Sequence, residues 1–429
     1  MLVSKSLTYL LLGLYFFCYT IPQSIFNSIN VFDRVSTQIL FLAVLNLSSF
    51  LLIVRTNTVG QILSVFKKNY HALSYLVFIV FSFISIVVAD NLIEGLVTIT
   101  KYLVFFSTFI IIVFLSKVGH TNFFKVFSIL TIFAVFIEST FINYLFYDSV
   151  ILKENLLQRS NDFKGFTANI NISSFSLCLK TPILFYLLFN TRSTKIKGVV
   201  LFMIFSSILT ILLLGGRASL IALSFILVSV IIISILKSNK SKIINLSLSF
   251  LIIALSLSTY KFFNQNNTSS NVIDRFSIVF NPSEDDSVKE RLNFYSTAIQ
   301  SIQKYPLLGI GVGNWKIVSI NYSKDIIEDY KVPYFVHNDF LQMLAEIGLF
   351  GGLAYMYFIF SPFIVSFKKM IKSCKKQFSR YFLVFLIFGV YIIDSLLNFP
   401  MARPVNAIYL LFTIAFYYSI NQKNIKNEE

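Results

Sequence analysis

The feature that most constrains this chain is a series of long apolar stretches separated by short basic runs. A helix needs about 20 apolar residues to cross the hydrocarbon core of a bilayer. With 56% hydrophobic and 13% charged residues, the chain has too little charge to cover soluble domains. The sequence predicts an all-α polytopic membrane protein of about twelve transmembrane helices. The predicted spans are residues 7–26, 36–54, 72–89, 96–116, 123–146, 170–190, 197–214, 218–236, 243–262, 341–366, 380–399 and 404–420.

The basic residues predict the orientation of these spans. The net charge of +16 is spread over short loops, which argues against a nucleic-acid-binding domain. Lys and Arg favour the cytoplasmic side of a membrane, and an N-terminus placed inside puts more than half of the 36 basic residues in inner segments. Both termini are therefore expected in the cytoplasm. Residues 1–260 would hold spans one to nine, residues 261–340 one large outer loop, and residues 341–429 the last three spans and a cytoplasmic tail, all in one integrated domain.

Two apolar stretches have features that need interpretation. The first follows Lys5 and could pass for a signal peptide, but it lacks an A-x-A-like cleavage site, so we interpret it as the first span. The fourth contains Lys101, which could extend to the nearby interface. Glu138 and Lys180 are further charged residues within spans and could pair.

The large outer loop contains a predicted amphipathic helix. Ser287-Val-Lys-Glu290 is a capping box, and Pro306 ends the pattern that follows. Arg291 lies near the start of this helix and is either a solvated surface arginine or a functional cation. The apolar positions at helical spacing are Leu292, Tyr295, Ile299 and Ile302.

Three alternate glycines follow that helix in Pro306-Leu-Leu-Gly-Ile-Gly-Val-Gly-Asn-Trp315. A phosphate-binding loop would need G-x-x-x-x-G-K-[ST], which is absent here. The spacing therefore favours a tight structural turn.

The entry to the tenth span has the densest set of polar residues, in His337-Asn338-Asp339 and the residues that follow. Asp339, Gln342 and Glu346 share one side of a helix, and polar groups at that depth usually face a cavity or a partner. His337 is the only histidine expected on the outer side. It is either a general base, because imidazole titrates near pH ~6.5, or a residue that caps the helix.

Two outer turns add cations to the same face. Gly215-Gly216-Arg217 joins spans seven and eight, and Arg403 lies in the turn before the last span. Arg217, Arg291 and Arg403 could converge on one anion, since guanidinium groups bind phosphate oxygens bidentately. The three cysteines lie far apart and indicate neither a zinc site nor a disulfide framework.

Together these features resemble the O-antigen ligase and polymerase family of bacterial envelope glycan assembly. The resemblance depends on His337-Asn338, nine further residues and Gly348-x-x-Gly351 at the end of a long outer loop. It also depends on the Arg217 turn and on the Arg291 helix that leads to the glycine turn. The specific part covers about residues 205–355. Gly216 departs from the pattern, because many relatives carry serine before the arginine.

The resemblance implies a glycosyltransferase in the bacterial inner (plasma) membrane with its active site on the periplasmic face. Arg217 and Arg291 would bind the diphosphate of an undecaprenyl-diphosphate-linked glycan, and His337 would be the general base on the acceptor hydroxyl. Asn338, Asp339, Glu346 and Arg403 would orient His337 or bind sugars. No metal, nucleotide or other cofactor is implied.

The acceptor divides the family into two activities. An O-antigen ligase joins the glycan to lipid A–core in lipopolysaccharide biosynthesis, whereas a polymerase joins it to another lipid-linked repeat. A single long outer loop favours the ligase. A secondary transporter or lipid flippase is the alternative of another class, but transporters tend to show two corresponding halves with broken helices, and no such duplication is present.

Overall fold

A computed structural model describes residues 4–21, 34–56, 60, 69–117, 122–148, 164–167, 169–236, 240–264, 286–323, 333–373 and 375–425. This part of the chain is helical and contains no strand, in agreement with the predicted all-α class. The α-helices are α1 (Lys5–Phe16), α2 (Arg34–Arg55), α3 (Tyr70–Ser85), α4 (Leu92–Lys117), α5 (Phe123–Phe146), α6 (Ile170–Asn190), α7 (Thr194–Leu214), α8 (Arg217–Leu236), α9 (Lys240–Asn264), α10 (Asp286–Lys304), α11 (Trp315–Ser323), α12 (Asp339–Lys372), α13 (Lys375–Leu397) and α14 (Pro404–Ile425).

Within the described ranges, nine helices are long and apolar enough to cross a membrane. They correspond to nine of the twelve predicted spans and lie in α2 to α8, α12 and α13. The other three predicted spans are shorter here. Helix α1 has 12 residues, and the apolar parts of α9 and α14 are Leu246–Lys261 and Pro404–Ile420. The polytopic class is therefore confirmed, and the count of twelve stays a prediction.

The chain divides into two compact units. The first comprises Met1–Thr121, Pro282–Val365 and Ser395–Glu429, and the second comprises Asn122–Asn281 and Ser366–Asp394. This division follows contacts between helices, whereas the predicted boundaries at residues 260 and 340 follow the sides of a membrane. Those boundaries stay a prediction.

Buried polar side chains tie together three helices of the first unit. The hydroxyl of Tyr15 on α1 lies 3.0 Å from both Asn46 Oδ1 and Ser49 Oγ on α2. Asn46 Nδ2 in turn donates to the carbonyl of Val104 on α4 at 3.0 Å. Such bonds between helices compensate buried polar groups where no water is available.

A buried ion pair connects two helices of the second unit. Lys180 Nζ on α6 lies 2.8 Å from Glu138 Oε1 on α5, and Ser176 Oγ donates to Glu138 Oε2 at 3.1 Å. The predicted pairing of Glu138 and Lys180 is confirmed. Pairing removes the large cost that either charge would carry alone inside a helical bundle.

Helix α10 confirms the amphipathic helix predicted in the outer loop, and it ends two residues before Pro306. Tyr295 and Ile302 pack against a buried apolar cluster. Leu292 and Ile299, which share the predicted apolar stripe, are instead 57% and 45% exposed. The buried side of α10 therefore differs from the predicted one. Ala298 and Phe294 of this helix pack in or against the cluster in place of Leu292 and Ile299. The cluster consists of Ala298, Ile310, Trp315, Val336 and Ala345.

The glycine-rich segment after α10 is a tight turn, as predicted. Gly313 has a φ of +72°, and a Cβ there would lie 2.7 Å from the carbonyl oxygen of Glu94 on α4. Gly348 has a φ of +79° and interrupts α12, and a Cβ added there would overlap the carbonyl oxygen of Leu307. Leu349 N–H then donates to the carbonyl of Pro306 at 2.8 Å. The turn thus packs between α4 and α12, which requires residues without side chains.

Candidate functional site

His337 has an unusual backbone conformation immediately before α12. Its φ of +59° makes it the only residue other than glycine with a positive φ in the described part of the chain. This left-handed conformation is uncommon for residues with a side chain and persists only where surrounding contacts hold it. The hydroxyl of Tyr295 on α10 supplies one such contact, because it donates to the His337 carbonyl at 3.0 Å. Helix α10 therefore helps to fix the backbone of the predicted base.

Aromatic rings hold the imidazole of His337. The ring of Phe294 lies nearly parallel to it at 6.4 Å between centroids, and Phe399 packs edge-on at 5.1 Å. The buried Nδ1 has no hydrogen-bond partner among the described residues. Among the described residues the imidazole is therefore oriented by packing. In a catalytic triad, by contrast, a carboxylate accepts a hydrogen bond from Nδ1.

The surroundings of His337 keep its side chain neutral. The pKa of His337 is lowered to about 4, mainly by burial and to a smaller extent by the positive charges of Arg291 and Arg403. Since this value is well below 7, the imidazole has a free lone pair at neutral pH and can accept a proton. The structure thus brings Arg291 and Arg403 into the electrostatic environment of His337.

Arg403 packs on the aromatic group that surrounds His337. Its guanidinium lies 4.7 Å from the ring centroid of Phe399 and 5.7 Å from that of Phe335. These two rings stack on each other with centroids 4.0 Å apart. Cation–π contacts of this kind position a guanidinium while leaving its N–H groups directed elsewhere. Phe399 therefore contacts the predicted base and the predicted supporting cation together.

Asn338 and Asp339 fix the start of α12. Asn338 Oδ1 accepts from Leu341 N–H at 3.1 Å, which is the usual bond of an N-cap residue. Asp339 is 2% exposed, and its Oδ2 accepts from the Tyr355 hydroxyl at 3.2 Å and from Met401 N–H at 3.0 Å. These contacts place both residues beside His337 and tie α12 to the turn that carries Arg403.

Glu346 joins α12 to the glycine turn. Its Oε2 accepts from Gly313 N–H at 2.9 Å, and its Oε1 accepts from Trp315 N–H at 3.2 Å and from Gln342 Nε2 at 3.3 Å. The carboxyl group thus satisfies two main-chain donors of a buried turn. In this geometry Glu346 is a positioning residue for the turn.

A cavity of about 330 Å³, which we call the outer cavity, lies in the first unit beside these residues. The predicted polar stripe of Asp339, Gln342 and Glu346 lines it, together with Arg403. A second part of the lining, which we call the α4 wall, consists of Glu94, Thr98 and Lys101 at helical spacing on α4. Lys316 and Tyr334 also line the cavity.

The α4 wall is the part of the site that sequence reasoning missed. Lys101, which we expected only to extend to the interface, lines the outer cavity. Lys316 Nζ pairs with Glu94 Oε1 at 2.7 Å, and both side chains are partly exposed. The signal was present in the sequence, because three polar residues at i, i+4 and i+7 in an apolar span indicate a shared polar face.

Arg217 belongs to the second compact unit. Gly215 ends α7 in a left-handed conformation, and Arg217 begins α8 as predicted from the glycine pair. Ser219 Oγ donates to the carbonyl of Gly216 at 2.7 Å. A Cβ added at Gly216 would lie 2.8 Å from the Ser219 Oγ. A hydroxyl from α8 therefore occupies the space beside the position where relatives carry serine. The convergence of Arg217 with His337 stays a prediction.

The chain was compared with known protein families. Residues 201–356 match the family described as O-antigen ligase, a segment that includes Arg217, Arg291, His337 and Glu346. No curated protein matches the chain. The matched segment agrees with the specific core of residues 205–355 expected from the motifs. The match identifies an O-antigen ligase domain in this chain, and together with the apolar helices it supports a multi-pass bacterial membrane protein of the O-antigen ligase and polymerase type.

Proposed function

We propose that this protein transfers a glycan from undecaprenyl diphosphate to a sugar hydroxyl of an acceptor, with His337 as the general base. The neutral, partly buried imidazole next to two arginines is the observation that carries this proposal. The acceptor hydroxyl oxygen attacks the anomeric carbon of the donor sugar, and its proton passes to His337. The bond from that carbon to the diphosphate oxygen breaks, the electron pair leaves with the lipid diphosphate, and the anomeric centre inverts.

The leaving group determines what the protein has to supply. A diphosphate leaves readily once its developing charge is stabilised, and Arg291 with Arg217 would provide that stabilisation through charge-assisted hydrogen bonds. The chemistry then needs no nucleotide and no obligatory metal. Arg403 adds a positive charge that acts on the same histidine.

Donor binding would also adjust the base. The positive charges of Arg291 and Arg403 contribute to the lowered pKa of His337. A bound diphosphate would offset those charges, so the pKa of His337 would rise towards its ordinary value of about 6.5. A base is most effective when its pKa is near the working pH. His337 would therefore become a better base once the donor is in place.

The charge pattern of the loops supports the location of this reaction. Both termini would be cytoplasmic, and Arg217, Arg291 and His337 would share the periplasmic face of the inner membrane. The glycan donor, the acceptor and the membrane lipids are then the partners. Undecaprenyl-linked glycans presented on that face would reach the site without crossing the bilayer.

We favour lipid A–core as the acceptor, which makes the protein an O-antigen ligase. Deletion of the gene followed by an envelope glycan gel tests this choice. Loss of a ligase leaves core without O-chains while long lipid-linked glycans accumulate. Core that carries a single repeat would instead identify the polymerase.

Purified protein distinguishes the enzyme from a transporter. A glycosyltransferase in detergent or nanodiscs joins glycan to acceptor without an ion gradient. If wild-type protein transfers no glycan but moves a lipid-linked substrate in an ion-gradient-dependent way, the transferase proposal is wrong.

A further inference from the structure

The outer cavity has the size of a ligand site. Its volume of about 330 Å³ lies within the range in which proteins bind small molecules. All of its lining residues belong to the first compact unit. The α4 wall supplies Glu94, Thr98 and Lys101, and α11 supplies Lys316. With Asp339, Gln342 and Glu346 of α12, the cavity therefore has polar groups from three helices, which suits a ligand with several polar groups.

Cationic and acidic side chains both line the cavity. Acidic side chains in the lining disfavour a dianion such as a diphosphate. Ammonium and guanidinium groups donate hydrogen bonds, carboxylates accept them and a threonine hydroxyl does both. A neutral molecule rich in hydroxyl groups matches this set. The cationic residues are Lys101, Lys316 and Arg403, and the acidic ones are Glu94, Asp339 and Glu346.

An aromatic ring lies at the edge of the cavity. Tyr334 is 63% exposed, and the ammonium of Lys316 lies 5.7 Å from its ring centroid. Aromatic faces pack against apolar C–H groups, while polar residues placed nearby fix the orientation of the ligand. A sugar ring presents both kinds of surface, hydroxyl groups at its edge and C–H groups on its faces.

We propose that the outer cavity binds one sugar ring of a glycan substrate, with Glu94, Thr98 and Lys101 as its hydrogen-bonding wall. This inference deepens the proposed function and rests on it. Asp339 lines the cavity and lies two residues from His337 in the sequence. Arg403 also lines the cavity, and its positive charge lowers the pKa of His337. A ring held there belongs to a glycan whose neighbouring portion reaches the base. The bound glycan is either the donor or the acceptor.

A matched pair of threonines on α4 tests this site. Thr98 lines the cavity, whereas Thr100 is exposed and its hydroxyl donates to the carbonyl of Leu96. Loss of one hydroxyl that binds the sugar should raise KM about three- to tenfold in Thr98→Val, and loss of the ammonium in Lys101→Met about tenfold or more. Thr100→Val should leave both KM and kcat at their wild-type values. An increase in the donor KM places the donor sugar in the cavity, and an increase in the acceptor KM places the acceptor there.

The single tryptophan gives a binding signal that does not depend on turnover. Trp315 is 1% exposed, and its main-chain N–H donates to Glu346, which lines the cavity. Delipidated glycan, released by mild acid from the host's lipid-linked intermediates, should change its fluorescence saturably in wild type and Thr100→Val. Lys101→Met should need about tenfold more glycan for the same change.

The two readouts separate failure of the subsite from failure of the proposed function. Equal kinetics and equal titrations in Thr98→Val, Lys101→Met and Thr100→Val would overturn the subsite while transfer by wild type still supports the enzyme. If wild type transfers no glycan, the proposed function fails, and the fluorescence titration alone decides whether the cavity binds a sugar. A saturable change that Lys101→Met weakens supports a sugar site, and no change in wild type overturns it.

Discussion

The hydroxyl of Tyr295 donates a hydrogen bond to the main-chain carbonyl of His337 at 3.0 Å, so the helix that carries Arg291 also holds the candidate base. The same hydroxyl lies 3.1 Å from the carbonyl of Leu396. His337 has a left-handed backbone, and a lost contact at its carbonyl makes that conformation easier to leave.

Tyr295→Phe should therefore lower the transfer rate without preventing assembly. Loss of one hydrogen bond of about 1 kcal/mol corresponds to roughly a fivefold fall in kcat, with little change in the KM of either substrate. The measurement is steady-state transfer by purified protein. Tyr144→Phe, the same change at an exposed tyrosine of α5, serves as the control. A kcat equal to that of the control would show that Tyr295 does not position His337.

The pH dependence of transfer should follow the lowered pKa of His337. The value of kcat/KM, which reports the enzyme without substrate, should persist from neutral pH to about pH 5 and fall as the imidazole is protonated near its pKa of about 4. Removal of a nearby positive charge stabilises the imidazolium, so Arg403→Gln should move this pKa part of the way from about 4 towards 6.5.

Histidine NMR of labelled protein measures the pKa directly, and the pH–rate profile of kcat/KM should shift in the same direction. Arg192→Gln, at an exposed arginine of the second unit, is the control. A pKa of His337 near 6.5 in wild type would contradict the described environment.

Much of the fold could be predicted from the sequence, because the signals involved are local. The helix from the Ser287 capping box to Pro306, the glycine turn and the Arg217 turn all depend on neighbouring residues. His337 and its polar stripe could be singled out for the same reason. The contacts of Tyr295 and Phe399 with His337 could not, since they join residues 42 and 62 positions away along the chain. The place of Lys101 in the cavity lining could not be predicted, because a lysine in a span is equally compatible with an interface and with a cavity.

Glu346 should be essential for the glycine turn. Glu346→Ala leaves the N–H groups of Gly313 and Trp315 buried without their acceptor, which should cost about 3 kcal/mol or more of stability. The expected result is a lower thermal midpoint in detergent and a changed Trp315 emission. Gln300→Ala, at an exposed position of α10, should change neither quantity. A wild-type midpoint in Glu346→Ala would show that the turn holds without this side chain.

Gly348 should resist substitution because of its backbone. Its φ of +79° and the close approach of the Leu307 carbonyl leave no room for a Cβ. Gly348→Ala should destabilise the protein by about 3 kcal/mol or more. At Gly198 on α7 no atom lies within 4 Å of a built Cβ, so Gly198→Ala should be neutral or slightly stabilising. Thermal unfolding of the two variants makes the comparison, and equal midpoints would refute the close packing at Gly348.

Transfer of glycan by His337→Gln tests the central claim most directly. His120→Gln, the same change at a histidine expected on the cytoplasmic side, is the matched control. With equal amounts of each purified protein, His337→Gln should lose about 10²- to 10⁴-fold in transfer rate while the control retains wild-type activity. A His337→Gln protein that transfers glycan at the wild-type rate would show that this imidazole is not the base.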